Sequence, residues 1–165
     1  LTFADTESVR SAIFWMMGSH AGASWRSVAI LGICLVPSLL ILFALARPLN
    51  LLAIGEPTAA YLGTSVERTK IVAFATATLL TAASVSVSGT IGFVGLVVPH
   101  AIRLLWGSDN RGLLPCSAIA GAAFLVGADT LARSLAGANE LPIGIVTALV
   151  GVPCFVWLLR RPAAA

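Results

Sequence analysis

Four long stretches of the chain carry no charged residue, and they dominate its pattern. They cover residues 27–46, 71–102, 113–128 and 141–159. A helix needs about 20 apolar residues to cross a bilayer, with a range of roughly 17–25. Because residues 71–102 are too many for one span and contain Gly89 and Gly92, they fit two short ones. The pattern therefore predicts five membrane spans, at residues 27–46, 70–86, 91–105, 113–133 and 142–159.

The composition agrees with a membrane protein. Only 10% of the residues are charged and 58% are hydrophobic, with a mean hydropathy of +0.98, whereas soluble domains carry about 25% charged residues. A soluble helical core is the alternative, but it requires amphipathic periodicity that the apolar runs lack. We predict an all-α membrane protein, a polytopic bundle of transmembrane helices.

Basic residues predict the orientation, because cytoplasmic loops are enriched in lysine and arginine. If the first span runs inward, seven basic residues lie inside: Arg47, Arg68, Lys70, Arg103, Arg111, Arg160 and Arg161. Three then lie outside: Arg10, Arg26 and Arg133. This distribution favours a cytoplasmic C-terminus and a cytoplasmic 47–70 connection.

The 47–70 connection is the longest polar segment. Pro57 suits the first turn of a short helix over residues 58–62. Gly63 ends that helix, and Thr64 or Ser65 can cap a following one. We therefore predict two short helical pieces joined by a turn.

A run of small residues at 84–95 separates the second and third spans. Glycines at 89, 92 and 95 permit a tight re-entry, and small residues allow helices to approach closely. Further upstream, Trp15 and Trp25 flank a short apolar stretch, which is typical of an interfacial segment. The chain begins at Leu1 rather than methionine, and we interpret it as part of a longer protein.

No catalytic constellation is visible in the sequence. His20 and His100 are far apart, and the cysteines stand singly within apolar runs, at positions 34, 116 and 154. There is no Walker A motif, so the chain has no ATP-binding loop of that kind. No lysine- or arginine-rich run indicates nucleic acid. We expect a protein that is not an enzyme and uses no cofactor.

One ion pair is expected near membrane depth. Asp129 precedes Arg133 by four residues, so both lie on one helix face. Asp129 is either part of a substrate or ion path or the partner of Arg133 at the outer end of the fourth span, and we favour the second interpretation.

The order of motifs resembles the FecCD-type permease subunits of ABC importers for iron-siderophores, haem and cobalamin. The matching stretches are residues 15–18, 47–50, 52–56, 89–103, 109–111, 113–115, 128–133, 140–145 and 147–153. The family often has Asp-His-Arg where this chain has Asp109-Asn110-Arg111. Such permeases have about ten spans, so the resemblance implies that residues 1–165 are the C-terminal half of one permease domain.

The resemblance also implies partners and a location. Two ATP-binding subunits hydrolyse ATP at the cytoplasmic face, an extracytoplasmic binding protein delivers the substrate, and a second permease subunit, identical or related, completes the path. The protein is expected in the bacterial cytoplasmic (inner) membrane as a multi-pass protein in contact with lipid.

Site residues follow by similarity. The 47–70 loop is the expected coupling loop, with these residues at its core: Ala53, Gly55, Glu56, Ala59, Leu62 and Gly63. Arg133, with Asn139 and Glu140 nearby, is expected to meet acidic residues of the binding protein. A polar translocation path is expected at Thr81, Ser84, Ser86 and Ser88.

The expected substrate is a ferric siderophore, with haem and cobalamin as alternatives. A secondary transporter or channel is one alternative, but it would require paired ionisable residues within the membrane and internal repeats. An inactive membrane scaffold is another alternative. An intramembrane enzyme has no visible site.

Overall fold

The computed structural model describes residues 16–20, 22–136 and 141–160. Regular structure in these ranges is helical, without strands. The helices are α1 (Trp25–Ala44), α2 (Ala46–Ile54), α3 (Glu56–Tyr61), α4 (Val66–Ser88), α5 (Val94–Trp106), α6 (Asn110–Ala136) and α7 (Ile143–Arg160). The all-α prediction is confirmed.

Each of the five predicted spans coincides with a helix. Three helices, α1, α4 and α6, are long and apolar enough to cross a membrane by length and composition, while α5 and α7 are apolar but shorter. The third span was predicted to begin at residue 91, whereas α5 begins at Val94. The reason is a turn: Phe93 has a φ of 68°, and the Val94 amide donates to the Gly92 carbonyl at 2.9 Å.

Large apolar side chains project outward from the long helices. Ile33, Phe74, Ile119 and Leu149 are each more than 70% exposed. In contrast, small hydroxyl side chains are buried, among them Ser38, Thr69, Thr76 and Thr147. Small residues at helix contacts and apolar residues outside are the arrangement expected of helices in lipid.

The chain forms two compact units. One contains the described residues up to Ala23, Val85–Val98 and the chain from Ala120 onward; the other contains Ser24–Ser84 and Pro99–Ile119. The first unit has a small buried core where α6 meets α7, made of Ala128, Ala132, Ile143 and Val146. The second unit contains α1, the two short helices, most of α4, the part of α5 from Pro99 onward and the start of α6.

The predicted tight re-entry is present in the first unit. Gly89 has a φ of 68°, which glycine adopts without strain, and the chain turns there from α4 into α5. The Ser19 amide donates to the Ser88 carbonyl at 2.9 Å, and the Thr90 hydroxyl donates to the Met16 carbonyl. The upstream segment is thus hydrogen-bonded to the turn.

The same upstream segment also contacts the start of α7. The Ile143 amide donates to the Gly18 carbonyl at 3.1 Å. A Cβ on Gly18 would lie 2.6 Å from the Thr90 carbonyl oxygen, and one on Gly144 would collide with the Met17 carbonyl. Glycine is required at both positions because the facing atoms belong to backbone.

Candidate functional site

The connection between α1 and α4 folds into a compact pair of helices, α2 and α3, here called the elbow. α2 was not predicted. The second helical piece expected in the connection, capped by Thr64 or Ser65, is instead the start of the long helix α4. α3 agrees with the predicted short helix and has Pro57 in its first turn, where its missing N–H costs no hydrogen bond. The nine residues of α2 are too few to show a recognisable helical periodicity in the sequence.

Gly55 sets the bend of the elbow. Its φ of 135° and ψ of 143° lie in a region that residues with a Cβ rarely adopt. Its amide donates to the Leu52 carbonyl at 3.1 Å, and its carbonyl accepts from the Ala59 amide at 3.0 Å. One residue therefore ends α2 and begins α3.

Gly63 ends the elbow with a Schellman motif. Its φ is 83°, its amide donates to the Ala60 carbonyl at 3.0 Å, and the Thr64 amide donates to the Ala59 carbonyl at 3.0 Å. These two bonds satisfy the last carbonyls of α3. The sequence correctly predicted that the helix ends at Gly63.

The elbow has a buried side and an exposed side. Ala46 and Ala59 are fully buried, so Ala59 packs within the elbow. Ile54, Tyr61 and Leu62 are 69%, 92% and 62% exposed. The predicted coupling-loop residues include Leu62 but not Ile54 or Tyr61. Ile54 ends α2 and Tyr61 ends α3, on either side of the bend at Gly55.

The remaining predicted elbow residues lie at the surface or close to it. Ala53, Glu56 and Gly63 are exposed, and Gly55 is half-buried. The Glu56 carboxylate pairs with the Lys70 ammonium group of α4. Glu56 is also the first residue of α3, where a negative charge is favoured by the helix dipole. This ion pair joins the start of α3 to α4.

A second polar link joins the elbow to α6. Asn50 Nδ2 donates to Asp109 Oδ1 at 2.6 Å, and Asn50 Oδ1 accepts from the Asn110 amide at 2.9 Å. Asp109 Oδ1 also accepts from the Arg111 amide at 3.0 Å. The pKa of Asp109 is held below its ordinary value of 3.8, first by the Arg111 backbone donor and then by the Asn50 amide. Sequence reasoning did not pair these residues.

Arg133 forms the predicted pair with Asp129. Its Nε lies 2.8 Å from Asp129 Oδ2, one helical turn earlier, which agrees with the favoured interpretation. The Arg133 side chain is still 64% exposed, against 27% for Asp129, so its guanidinium is accessible. Asn139 and Glu140 lie outside the described residues.

The four predicted path residues do not share one face of α4. Thr81, Ser84 and Ser88 follow a three- and four-residue spacing along one face, while Ser86 lies on another. Thr81 donates its hydroxyl to the Ala77 carbonyl at 2.8 Å.

The first unit contains an open apolar groove of about 680 Å³. It is lined by the upstream segment (Met16, Met17), the α4–α5 turn (Thr90, Phe93) and α7. The four hydroxyl residues do not line it. Within residues 16–20, 22–136 and 141–160, no three His, Cys, Asp or Glu side chains converge as metal ligands would.

Apolar helices of membrane-spanning length and a polar elbow define a polytopic helical membrane protein. The model of the FecCD transport family matches residues 1–161. The chain therefore belongs to the FecCD transport family.

Relatives and a solved structure are similar over most of this chain. It is 52% identical over 153 residues to the cobalamin import system permease protein BtuC of Halobacterium salinarum, covering 92% of this chain and 41% of that protein. It is 42% identical over 158 residues to the hemin transport system permease protein HmuU of Yersinia pestis, covering 96% and 47%. An inward-facing metal-chelate type ABC transporter matches with a TM-score of 0.85 and 38% identity, over 95% of this chain and 51% of that one. The chain thus spans about half the length of the proteins that it matches.

Proposed function

We propose that this chain is part of the permease subunit of a binding-protein-dependent ABC importer in the cytoplasmic (inner) membrane. It carries a large metal chelate inward, and a partner subunit hydrolyses the ATP. Two ATP-binding subunits, a second permease subunit and an extracytoplasmic binding protein complete the importer. Membership of the FecCD transport family supports this proposal, together with the permease relatives.

The exposed face of the elbow is the proposed ATPase contact. The exposure of its apolar side chains is the observation that carries the proposal. The elbow belongs to the polar 47–70 connection, but it exposes apolar surface at Ile54, Tyr61 and Leu62. Isolated exposed apolar residues are ordinary, but an aromatic and two aliphatic side chains on one short elbow mark a protein contact. Glu56 and Ala53 of the elbow are also exposed.

The proposed orientation places the elbow and the C-terminus in the cytoplasm. The basic residues favour this orientation, and the Asn50–Asp109 hydrogen bond agrees with both connections lying on one side of the membrane. That bond joins the connection before α4 to the connection before α6. Two intervening spans return the chain to the same side of the membrane, as an alternating topology requires.

The transported chelate is proposed to be a ferric siderophore. Cobalamin is the second candidate, since a relative 52% identical to this chain is named for cobalamin import, and haem is the third, because a second relative is named for hemin transport. Uptake of each compound by full-length permease with its ATPase and binding protein in proteoliposomes separates them. Uptake of none of the three would refute the proposed function.

The docking face is tested by replacing Tyr61 with alanine in the full-length protein. Tyr61→Ala removes a side chain that is 92% exposed, so folding is spared while the ATPase contact weakens. Loss of a central aromatic contact typically costs more than about 1 kcal/mol, or roughly fivefold in ATPase affinity. The readouts are copurification of the ATPase and ATP-dependent uptake.

Trp25→Ala is the matched control for that experiment. Trp25 is also aromatic and 89% exposed, but it begins α1, about 30 Å from the elbow end of that 20-residue helix. ATPase copurification should be unchanged in this variant. If Tyr61→Ala copurifies as much ATPase as Trp25→Ala does, this face is excluded as the ATPase contact.

A further inference from the structure

We propose that Asn50 is a positioning residue that holds the elbow to the first turn of α6 and so keeps ATP hydrolysis coupled to translocation. The proposal rests on the proposed function, since coupling has meaning only in an ATP-driven importer. Its structural basis is a set of hydrogen bonds among Asn50, Asp109 and Asn110, here called the clamp.

Asn50 uses both ends of its side-chain amide. Nδ2 donates to Asp109 Oδ1 at 2.6 Å, and Oδ1 accepts from the Asn110 amide at 2.9 Å and from Asn110 Nδ2 at 2.8 Å. A carboxylate only accepts and a backbone N–H only donates. The opposite orientation of the Asn50 amide would therefore place its oxygen against the Asp109 carboxylate and its NH₂ group against the Asn110 N–H. The orientation of Asn50 is therefore fixed by its partners.

The clamp supplies caps that α6 needs. The first amides of a helix have no partner within the helix. Asp109, just before α6, accepts from the Arg111 amide with its side chain, and Asn50 accepts from the Asn110 amide. One of the caps of α6 is thus contributed by α2, so α6 cannot move away from the elbow without losing it.

The elbow is linked to two long helices at separate points. The Glu56–Lys70 pair holds the start of α3 to α4, whereas Asn50 holds α2 to α6. The ion pair joins two flexible and partly exposed side chains, and such pairs contribute little stability. The clamp joins the half-buried Asn50 amide to the exposed Asp109 carboxylate and to the part-buried Asn110 backbone amide, so it combines a charge-assisted hydrogen bond with a helix cap. Displacement of the elbow is therefore transmitted to α6 through Asn50.

Charge exchange within the clamp tests this role in the complete importer. Asn50→Asp removes the Nδ2 donor and places a second carboxylate against Asp109, so substrate transported per ATP hydrolysed should fall by about tenfold or more. Asp109→Asn keeps an acceptor for Asn50 and should cost less than about threefold. The double variant Asn50→Asp with Asp109→Asn restores a donor opposite a carboxylate. Because the same Asp109 oxygen also accepts from the Arg111 amide, the recovery of transport per ATP should be partial, to at least about threefold above Asn50→Asp alone.

The ratio of transport to hydrolysis separates positioning from general damage. A purely structural defect lowers the amount of active complex, so uptake and hydrolysis fall together and the ratio is unchanged. Ser108→Ala, an exposed position in the connection next to the clamp, is the control and should leave the ratio as in the wild type. If Asn50→Asp does not fold, the ratio of the double variant still tests the pairing.

Each outcome supports or overturns the proposal. A reduced ratio in Asn50→Asp with recovery in the double variant supports it. A wild-type ratio in Asn50→Asp, or no recovery in the folded double variant, overturns the clamp while the proposed function stands. A wild-type importer that moves none of the three chelates refutes the proposed function, and the coupling role of Asn50 is overturned with it.

Discussion

Replacing Gly55 with alanine should loosen the elbow through backbone strain alone. A Cβ at this position would lie 3.9 Å from Thr58 Oγ1, an ordinary van der Waals distance. The cost therefore comes from the φ of 135° and ψ of 143°, a region that costs a residue with a side chain about 1–3 kcal/mol. This range corresponds to a roughly 5- to 150-fold larger population of opened elbow.

Hydrogen exchange at the Ala59 amide reports this opening directly. In the closed elbow that amide donates to the Gly55 carbonyl at 3.0 Å, so its protection should fall by about 5- to 150-fold in Gly55→Ala. Gly63→Ala, at a φ of 83° with open space around it, should loosen the end of α3 by about 1–2 kcal/mol.

Gly32→Ala provides the matched control. Gly32 lies inside α1 with a helical backbone, and nothing lies within 4 Å of an added Cβ. Alanine there should stabilise the helix by roughly 0.5–1 kcal/mol. Unchanged protection of Ala59 in Gly55→Ala, or an equal loss in Gly32→Ala, would refute the strain argument.

Three further predictions concern other parts of the chain. Gly144→Ala places a Cβ against the Met17 carbonyl and should destabilise the protein by about 1–3 kcal/mol. Gly127→Ala is the control and should not destabilise it, because nothing lies within 4 Å of the added Cβ. Thermal unfolding in detergent compares the two variants. Arg133→Ala removes a side chain that is 64% exposed, together with its ion pair to Asp129. It should change stability by no more than about 1 kcal/mol while weakening binding-protein affinity, and unchanged affinity in a titration would contradict the predicted docking role of Arg133. Because the pKa of Asp109 is lowered in the folded protein, its stabilising contribution is complete above about pH 5 and is lost only as the pH falls through that lowered pKa. Protection of the first α6 amides, corrected for intrinsic exchange, should therefore be flat at neutral pH, and a loss near pH 6 would contradict the assignment.

The spans and the elbow show what sequence patterns reveal. Charge-free runs located five apolar helices because a bilayer requires length and hydrophobicity, which are local properties. Pro57 and Gly63 located α3 because proline and glycine act on the backbone near their own positions. The start of α5 was misplaced because the positive φ of Phe93 has no signal in its residue type.

The exposure and grouping of the predicted site residues followed from the sequence only in part, for a different physical reason. Similarity pointed to six elbow residues, yet the burial of Ala59 and the exposure of Ile54 and Tyr61 depend on how two short helices fold onto each other. Likewise, the four hydroxyl residues of α4 were grouped by type, and helix geometry separates Ser86 from the others.

The sequence by itself determined that this protein is an all-helical membrane protein of the FecCD type with a long polar connection before α4. Those properties follow from the composition, from the proline and glycine residues that end helices, and from the order of the motifs. Only the tertiary structure decided which elbow side chains face outward and that Asn50 caps a helix that begins 60 positions later. Such pairings depend on the packing of distant segments, and no local pattern of residues encodes them.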